Sequence, residues 1–474
     1  MPVRIDLFTP IVLLAWLLAA SMATAAGPTS EEIAERLAGA IRFETISPED
    51  PAEFRGEPFE ALEAYLRETY PGVFAALSLE HVNGYTLLLR WQGSDDTLPP
   101  ALFMSHTDVV PVSDAAAEKW SQPPYGGVVS EGYVWGRGAL DVKTGVIFWL
   151  EAVEALLAEG VEPVRTVYLA FGHDEEIGGT QGAKRVAELL AERGIRLAML
   201  FDEGGFMIEG HPLVPDKVAA MVTTAEKAYM NVRLRARGVS GHSSMPPRST
   251  AIGRLARAIA RVESNPMPAR ITMPVREMLE AAAPHQPFGR RFAFDNLWLT
   301  GPFVKSEFMK DDLNRALLQT TFAATLISGG VKANVIPELA EALINVRILP
   351  GDTHDDVIAH LEEVIDDPEI EVVGERWGTS APPASASGPA FRLAAEAVLE
   401  EIPEAVVLPG LVPGATDTRH FGDVADEILR FVPMQLEISE RSGAHGRDER
   451  ILIEPLARSV RIATGMVRRA AAGE

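Results

Sequence analysis

Four short, almost wholly apolar runs of this chain each stop at a string of histidines or carboxylates, and that pattern limits the fold more than any other feature. Residues 101–104 run into Ser105-His106-Thr107-Asp108, and residues 134–135 into Gly136-Arg137-Gly138-Ala139-Leu140-Asp141. Residues 167–171 run into Gly172-His173-Asp174-Glu175-Glu176, and residues 199–201 into Asp202-Glu203. Helical periodicity fills 144–157 and 180–193, and another apolar run at 85–91 comes before them. Short buried strands alternating with helices predict an α/β sheet covered on both faces. Ligands of such open sheets bind outside the carboxyl ends of the strands, so the four strings are expected on one rim.

Carboxylates crowded on one rim repel each other unless cations lie among them. The chain has no cysteine, which excludes disulfides, thiolate catalysis and zinc sites built on sulfur. Any transition metal must therefore be held by His, Asp and Glu. Such ligands suit catalytic zinc, with cobalt or manganese as substitutes, and two ions use this many ligands economically. A further histidine for the centre stands in Ala444-His445-Gly446-Arg447-Asp448-Glu449. With 67 acidic against 43 basic side chains the net charge is -24, so no nucleic-acid partner is expected.

At 474 residues the chain exceeds one ordinary core of roughly 100 to 200 residues. A helix is expected to open at Thr29 or Ser30, with Ile33, Leu37, Ala40 and Ile41 at helical spacing. From Lys227 the pattern changes: residues 230–237 alternate like a half-solvated strand, a helix follows at 251–262, and 340–348 alternate again. This predicts a smaller α+β unit with a one-sided sheet. Between that helix and Thr320 fall Pro266, Pro268, Pro274, Pro284, Pro287 and Pro302, a stretch read as an irregular insertion. Residues 379–389 form the linker candidate, after which strands and helices resume, so the smaller unit interrupts the larger one. The expected division is 1–26 as signal peptide, 27–225 and 381–474 as two parts of a catalytic domain, and 226–380 as the inserted domain. Residues 11–20 are apolar and end in Ser21-Met22-Ala23-Thr24-Ala25-Ala26-Gly27, the small-residue pattern of a signal-peptidase site. Export with cleavage near Ala26 is expected, the alternative being an uncleaved membrane anchor.

The strings SHTDVVP, GRGALDVKTG, GHDEEIGG, DEGG, GVSGHSS, ANVIP, GATDTRHF and AHGRDERI occur in that order. Together they resemble the dizinc peptidase family of aminoacylase, glutamate carboxypeptidase and succinyl-diaminopimelate desuccinylase, in particular the branch of carboxypeptidase S and the secreted N-fatty-acyl-amino-acid hydrolases. The resemblance implies a mixed sheet flanked by helices that carries a dinuclear metal site, with the inserted α+β unit as a lid and dimerisation domain. It implies that His106, Asp141 and Glu203 bind one zinc and that Glu176 and His445 bind the other, with Asp141 bridging. Asp202 is the alternative to Glu203. Asp108 would accept a hydrogen bond from the far nitrogen of His106, Glu175 would be the general base, and the Asp141-Val142 peptide bond would be cis.

The implied reaction is attack by a metal-bridging hydroxide on the amide bond to a C-terminal amino acid, in a small peptide or an N-acyl amino acid. In the lid, His242 would reach the oxyanion in a neighbouring subunit's site, which implies a homodimer. Arg347 would grip the substrate carboxylate, and Asn334 and Thr416 would line the cleft. Read without the resemblance, His242 is also consistent with a turn histidine and Arg347 with a surface strand arginine. Three other functions compete: a dipeptidase of the same family, a binding protein that kept the fold, and a two-metal phosphoesterase. The last would draw its cations from Arg137 and Lys143.

Overall fold

The strands that end in the site lie side by side. In the larger sheet the order is Ser78–Val82, Thr86–Trp91, Val167–Gly172, Ala101–His106, Leu197–Asp202, Ala425–Arg430, Ala219–Glu226, Met207–Glu209 and Gln435–Glu437, and Val406–Val412 pairs with Ala219–Glu226 off that path. The computed structural model describes residues 27–376, 380–438, 440 and 443–473. The expected signal peptide at 1–26 and the start of the linker at Thr379 lie outside them.

Two cores explain why the strand sequences read as unbroken apolar runs. Successive side chains of a strand point to opposite faces. Leu102, Met104, Tyr168, Ala170 and Leu200 face one core with Val186 and Leu190 of the helix Ala183–Glu192. Phe103, Leu169, Phe171 and Phe201 face the other, packed on the helices Ser30–Ile41, Lys143–Ala158 and Leu456–Ala472. Thr29 caps Ser30–Ile41 in a capping box with Glu32. The parallel pair Ala101–His106 and Val167–Gly172 aligns His106 with Gly172, so their following loops leave the sheet together.

The strand carrying residues 134–135 departs from the expectation. It extends over Tyr133–Trp135 and joins Val128–Ser130 and Arg450–Leu452 in a separate sheet of three strands. The four strings therefore do not share one rim of one sheet. The pairing of Trp135 with Arg450 gives the chain a different way of bringing Asp141 and His445 together, since each lies within six residues of that pair along the sequence.

A second, antiparallel sheet has the order Thr321–Gly329, Leu339–Ile348, Ala228–Arg237, Ile370–Arg376. The helices Ala251–Ser264 and His354–Ile365 cover one face of it. The proline-rich stretch is helical, not irregular: Met273–Ala282, Phe288–Asp295, Leu297–Phe308 and Asp312–Leu318 are all helices. Pro274 lies in a first turn and Pro287 is an N-cap, positions where the missing N–H costs nothing, so these prolines start helices and do not break them. Pro302 does lie inside Leu297–Phe308. These helices place Val275, Met278, Leu279, Phe294, Leu297 and Val304 against Ala219, Val406, Leu408 and Leu411 of the larger sheet.

One buried ion pair ties the carboxyl ends of this sheet together. Arg430 Nη2 lies 3.0 Å from Glu226 Oε1, with the two side chains 1% and 0% exposed. Glu226 also accepts from the Thr416 amide at 2.7 Å and from the Thr418 hydroxyl at 2.9 Å. Arg430→Met leaves a buried carboxylate without its cation and is expected to cost roughly 3–5 kcal/mol. Denaturant titration should show a lowered midpoint, with much of the loss recovered in Glu226→Gln/Arg430→Met. An unchanged midpoint in the single variant would contradict this account.

Candidate metal centre and active site

Five ligand candidates meet at one point. His106 Nε2 stands 3.0 Å from Asp141 Oδ1 and 3.3 Å from Glu203 Oε1. On the other side of Asp141, its Oδ2 is 3.0 Å from His445 Nε2, which is also 3.0 Å from Glu176 Oε2. Asp141 thus lies between two groups of ligands, one with His106 and Glu203 and one with His445 and Glu176. Glu175 lies next to them: an oxygen of its carboxylate falls within 4.8 Å of ligand atoms of both His106 and Glu203. The Asp141-Val142 peptide bond is cis. Asp202, the alternative ligand, is buried and is in neither group of converging ligand atoms among the described residues.

Two carboxylates outside the cluster hold the loops that carry it. Asp108, the expected acceptor from His106, places its backbone carbonyl 2.9 Å and its carboxylate 3.4 Å from His106 Nδ1. The carboxylate also accepts from the amides of Glu175 and Glu176, at 3.2 and 3.1 Å. Asp108 therefore fixes the histidine with its main chain and the base-bearing turn with its side chain. Glu449 does similar work at Asp141, accepting from the amides of Gly138, Leu140 and Asp141 at 3.0, 2.7 and 3.2 Å. Its other oxygen pairs with Arg137, whose guanidinium also donates to the His445 carbonyl at 3.1 Å. The sequence reading missed Glu449. The available signal was an acid four residues after His445 in a string where only the histidine had been given a role.

Arg137 is committed to Glu449, and Lys143 Nζ donates to the carbonyls of Ala40 and Phe43 at 3.1 and 2.6 Å. Both are buried, so neither offers the cleft the cations a phosphoesterase would need.

The charges show why the site wants cations. Burial raises Glu203 to about 8, and the Asp141 carboxylate adds to the effect. Hydrogen bonds to Asp141 and Glu176 raise His445 to about 10. Burial disfavours a charged His106, yet Glu203, Asp108 and Asp141 together lift it well above the usual imidazole range. Glu176 Oε1 is buried without a hydrogen-bond partner. Protons on the two imidazoles and an orphaned carboxylate oxygen mark places that divalent ions would fill, and the all-nitrogen-and-oxygen donor set suits zinc, cobalt or manganese. Burial, then the Asp417 and Glu203 carboxylates, raise Glu175 well above the ordinary carboxylate range.

The expected substrate residues separate. Arg347 forms no ion pair among the described residues; its guanidinium lies 4.7 Å from the centroid of Tyr229 and within electrostatic reach of Glu175 and Arg419. Arg419, which the sequence reading passed over, has its side chain only 11% exposed and lies 3.8 Å from its nearest carboxylate, Asp417. Thr416 does not line the cleft: it is buried, and its hydroxyl donates to Glu226 at 3.0 Å. His242 and Asn334 sit together on an exposed ribbon formed by Gly241–His242 and Val335–Ile336, and their hydrogen bonds do not reach the cluster. Among the histidines given no role, His173 is buried, with Nδ1 2.6 Å from the Thr86 hydroxyl and Phe54, Phe59 and Tyr85 around its ring.

A cavity of about 1070 Å³ opens from the cluster. Asp141 and Glu203 line one end, and Phe206, Met278, Phe294, Phe303, Phe308 and Leu411 line much of the rest. Most of the aromatic wall comes from the proline-rich helices.

Comparison with known proteins agrees with this geometry. The profile of Peptidase family M20/M25/M40 matches residues 102–469. The chain is 38% identical over 428 residues to probable carboxypeptidase S-like 2 of Dictyostelium discoideum, covering 89% of this chain and 82% of that protein. It is 36% identical over 428 residues to the N-fatty-acyl-amino acid synthase/hydrolase PM20D1 of Mus musculus, covering 89% and 84%. An M20 family metallo-carboxypeptidase from Sulfolobus solfataricus has the same fold, with a TM-score of 0.67 at 18% identity over 93% of this chain and 99% of that one. With its candidate metal ligands assembled around a part-buried carboxylate, this chain belongs to peptidase family M20/M25/M40 and is an enzyme of the metallopeptidase and amidohydrolase type.

Proposed function

We propose that the enzyme hydrolyses the amide bond joining an acyl group to the nitrogen of a C-terminal amino acid, with N-acyl amino acids bearing long apolar acyl groups as its best substrates. The observation that carries this reading is the convergence of His106, Asp141, Glu176, Glu203 and His445 beside Glu175, at the end of an apolar cavity. Pairing through Asp141 supports His106 and Glu203 as ligands of one ion and His445 and Glu176 as ligands of the other. The distance from His106 favours Glu203 over Asp202. Two zinc ions, or cobalt or manganese in their place, would lower the pKa of the attacking water and polarise the amide carbonyl.

The chain's own groups then do the following work. Glu175 takes the proton from the water, which its burial and acidic neighbours favour, and hands it to the leaving nitrogen. Arg347 and Arg419, two half-buried or buried guanidiniums close to Glu175, bind the free carboxylate of the amino acid. The acyl chain fills the cavity. Its volume is at the upper end of the usual range for small-molecule sites, and its apolar walls suit a fatty chain better than a second amino acid. The name of the mouse relative, a hydrolase of N-fatty-acyl amino acids, supports the same choice over a dipeptidase.

The inserted unit is proposed to act as a lid that dimerises through Thr321–Gly329, an edge strand exposed along most of its length, with Leu326 64% and Ile327 68% exposed. His242, exposed on the adjoining ribbon, would then serve the neighbouring subunit's site as an oxyanion donor. Asn334 would approach the substrate beside it. Export is proposed from the segment at 1–26; no described helix is long and apolar enough to cross a membrane.

Three measurements test this reading. Glu175→Gln should keep two divalent ions per chain by elemental analysis and lose about 10²–10⁴-fold in kcat, whereas His445→Ala should lose metal as well as activity. Full activity in Glu175→Gln, or in chelator-treated enzyme, would end the proposal. Arg347→Gln should raise KM for an N-acyl amino acid by about tenfold or more and leave the weaker cleavage of its C-terminal amide unchanged; equal effects on both would remove the carboxylate role. Light scattering should give a dimer, and mixing inactive Glu175→Gln with inactive His242→Ala should restore activity through mixed dimers. A monomer with full activity would refute the lid assignment.

A further inference from the structure

The helix Leu297–Phe308 is apolar on both sides. Leu297 and Val304 are buried against the larger sheet, while Trp298, Leu299 and Phe303 point outward at 80%, 57% and 65% exposure. Phe288 and Phe292 of the preceding helix, 85% and 47% exposed, extend the same aromatic surface. An outward helix face of Trp, Leu and Phe fits a core or a lipid phase better than water. The surface also differs in charge from the rest of the chain. Residues 288–310 carry Arg290, Arg291, Lys305 and Lys310 against Asp295 and Glu307, a local positive excess on a chain of net charge -24. Arg291 is paired with Asp295 and Lys310 with Glu307, while Arg290 is exposed and forms no ion pair among the described residues.

This surface connects with the cavity. Phe303 belongs both to the exposed patch and to the cavity wall, and Arg290, Phe294 and Phe308 line the same cavity as Asp141 and Glu203. The outward aromatics and the cluster therefore border one cavity.

We propose that the face formed by Phe288, Phe292, Trp298, Leu299 and Phe303 docks on an anionic lipid surface and draws the acyl chain from it into the cavity. The proposal rests on reading the cavity as the acyl site. Outward aromatics with flanking arginine are the composition of elements that lie in a lipid interface, their rings at the headgroup level and their cations on anionic lipid. An acidic chain is repelled by such a surface everywhere except at a local basic patch, so the same charges would turn this face towards the lipid. A path through the patch would spare the acyl chain exposure to water on its way to the site.

Because the chain has no cysteine, insertion of this face can be read on its own. Trp298→Cys, labelled with an environment-sensitive fluorophore, is mixed with vesicles of phosphatidylcholine containing phosphatidylglycerol. The label should shift to the blue and be quenched by lipids brominated on their chains, while the same label at Glu371→Cys, exposed on the smaller sheet, should not respond. Phe288→Ser/Trp298→Ser removes two residues that do not line the cavity. It should weaken the vesicle response of a label at Leu299→Cys by about tenfold or more. It should slow hydrolysis of a vesicle-borne long-chain N-acyl amino acid by a similar factor and leave cleavage of a soluble N-acetyl amino acid unchanged. The proposal is overturned if the label at 298 keeps its aqueous emission at saturating lipid, if it shifts on raising protein concentration without lipid, which would mean that a second copy covers the face, or if the double variant responds to vesicles as the parent does. Failure to cleave either substrate would count against the hydrolase reading; the label would still report on docking.

Discussion

The structure depends on how Asp141 is surrounded. Its two oxygens lie 3.0 Å from His106 and from His445, residues more than three hundred positions apart in the chain, and Glu203 and Glu176 crowd in from either side. Burial alone would push the Asp141 and Glu203 carboxyls towards neutrality. The imidazoles outweigh it at Asp141, whose carboxyl is held below the usual range, whereas Glu203 is left raised to about 8. Such an arrangement is short of positive charge, and divalent ions are the ordinary remedy. The three sheet strands, the separate three-stranded sheet and the C-terminal string all end where that compensation is needed.

Carboxylates beside the ligands keep the parts of the centre in register. Asp108 binds the amides of the turn that carries Glu175 and Glu176, and Glu449 binds three amides of the turn that carries Asp141. Each side chain fixes several backbone groups at once, so the position of a ligand is set by main-chain geometry and not by its own rotamer alone. This is the usual division of work around a metal, in which outer partners orient the groups that bind it. Arg137 extends the arrangement, since a single guanidinium joins Glu449 to the carbonyls of His445 and Gly446.

The proline-rich helices join this centre to the molecular surface. They pack inward on Val406–Val412 and Ala219–Glu226, wall the cavity with Phe294, Phe303 and Phe308, and leave Phe288 and Trp298 outside. A segment that buries apolar side chains on one side and exposes them on the other has two apolar phases to face, the protein core and something beyond it. On the proposed reading of the cavity as an acyl site, a lipid surface is the phase that would also hold the substrate.

The sequence by itself determined much of this. Unbroken apolar runs and period-3.6 patterns gave the strands and helices of the larger unit, because its central strands bury both faces and must be apolar throughout, while period-two alternation marked the smaller sheet. The ligand candidates and the neighbouring glutamate stood out because their strings follow strand ends, and because the order of those strings resembles one peptidase family. Other features are long-range and leave no local trace. That Tyr133–Trp135 pairs with Arg450–Leu452 and not with the larger sheet is a choice of partner, which no local pattern records. Glu449 had no role in the sequence pattern, and only its neighbours in space make it an anchor. Thr416 read as a cleft residue until the fold set it beside Glu226. The prolines of 263–319 suggested an irregular segment, yet proline breaks a helix only from within and readily starts one, so the chain could fold into helices wherever the larger sheet offered an apolar face to cover. Local chemistry wrote the elements and the reactive groups; tertiary packing decided which of them meet, because proximity between residues hundreds of positions apart is a property of the folded chain alone.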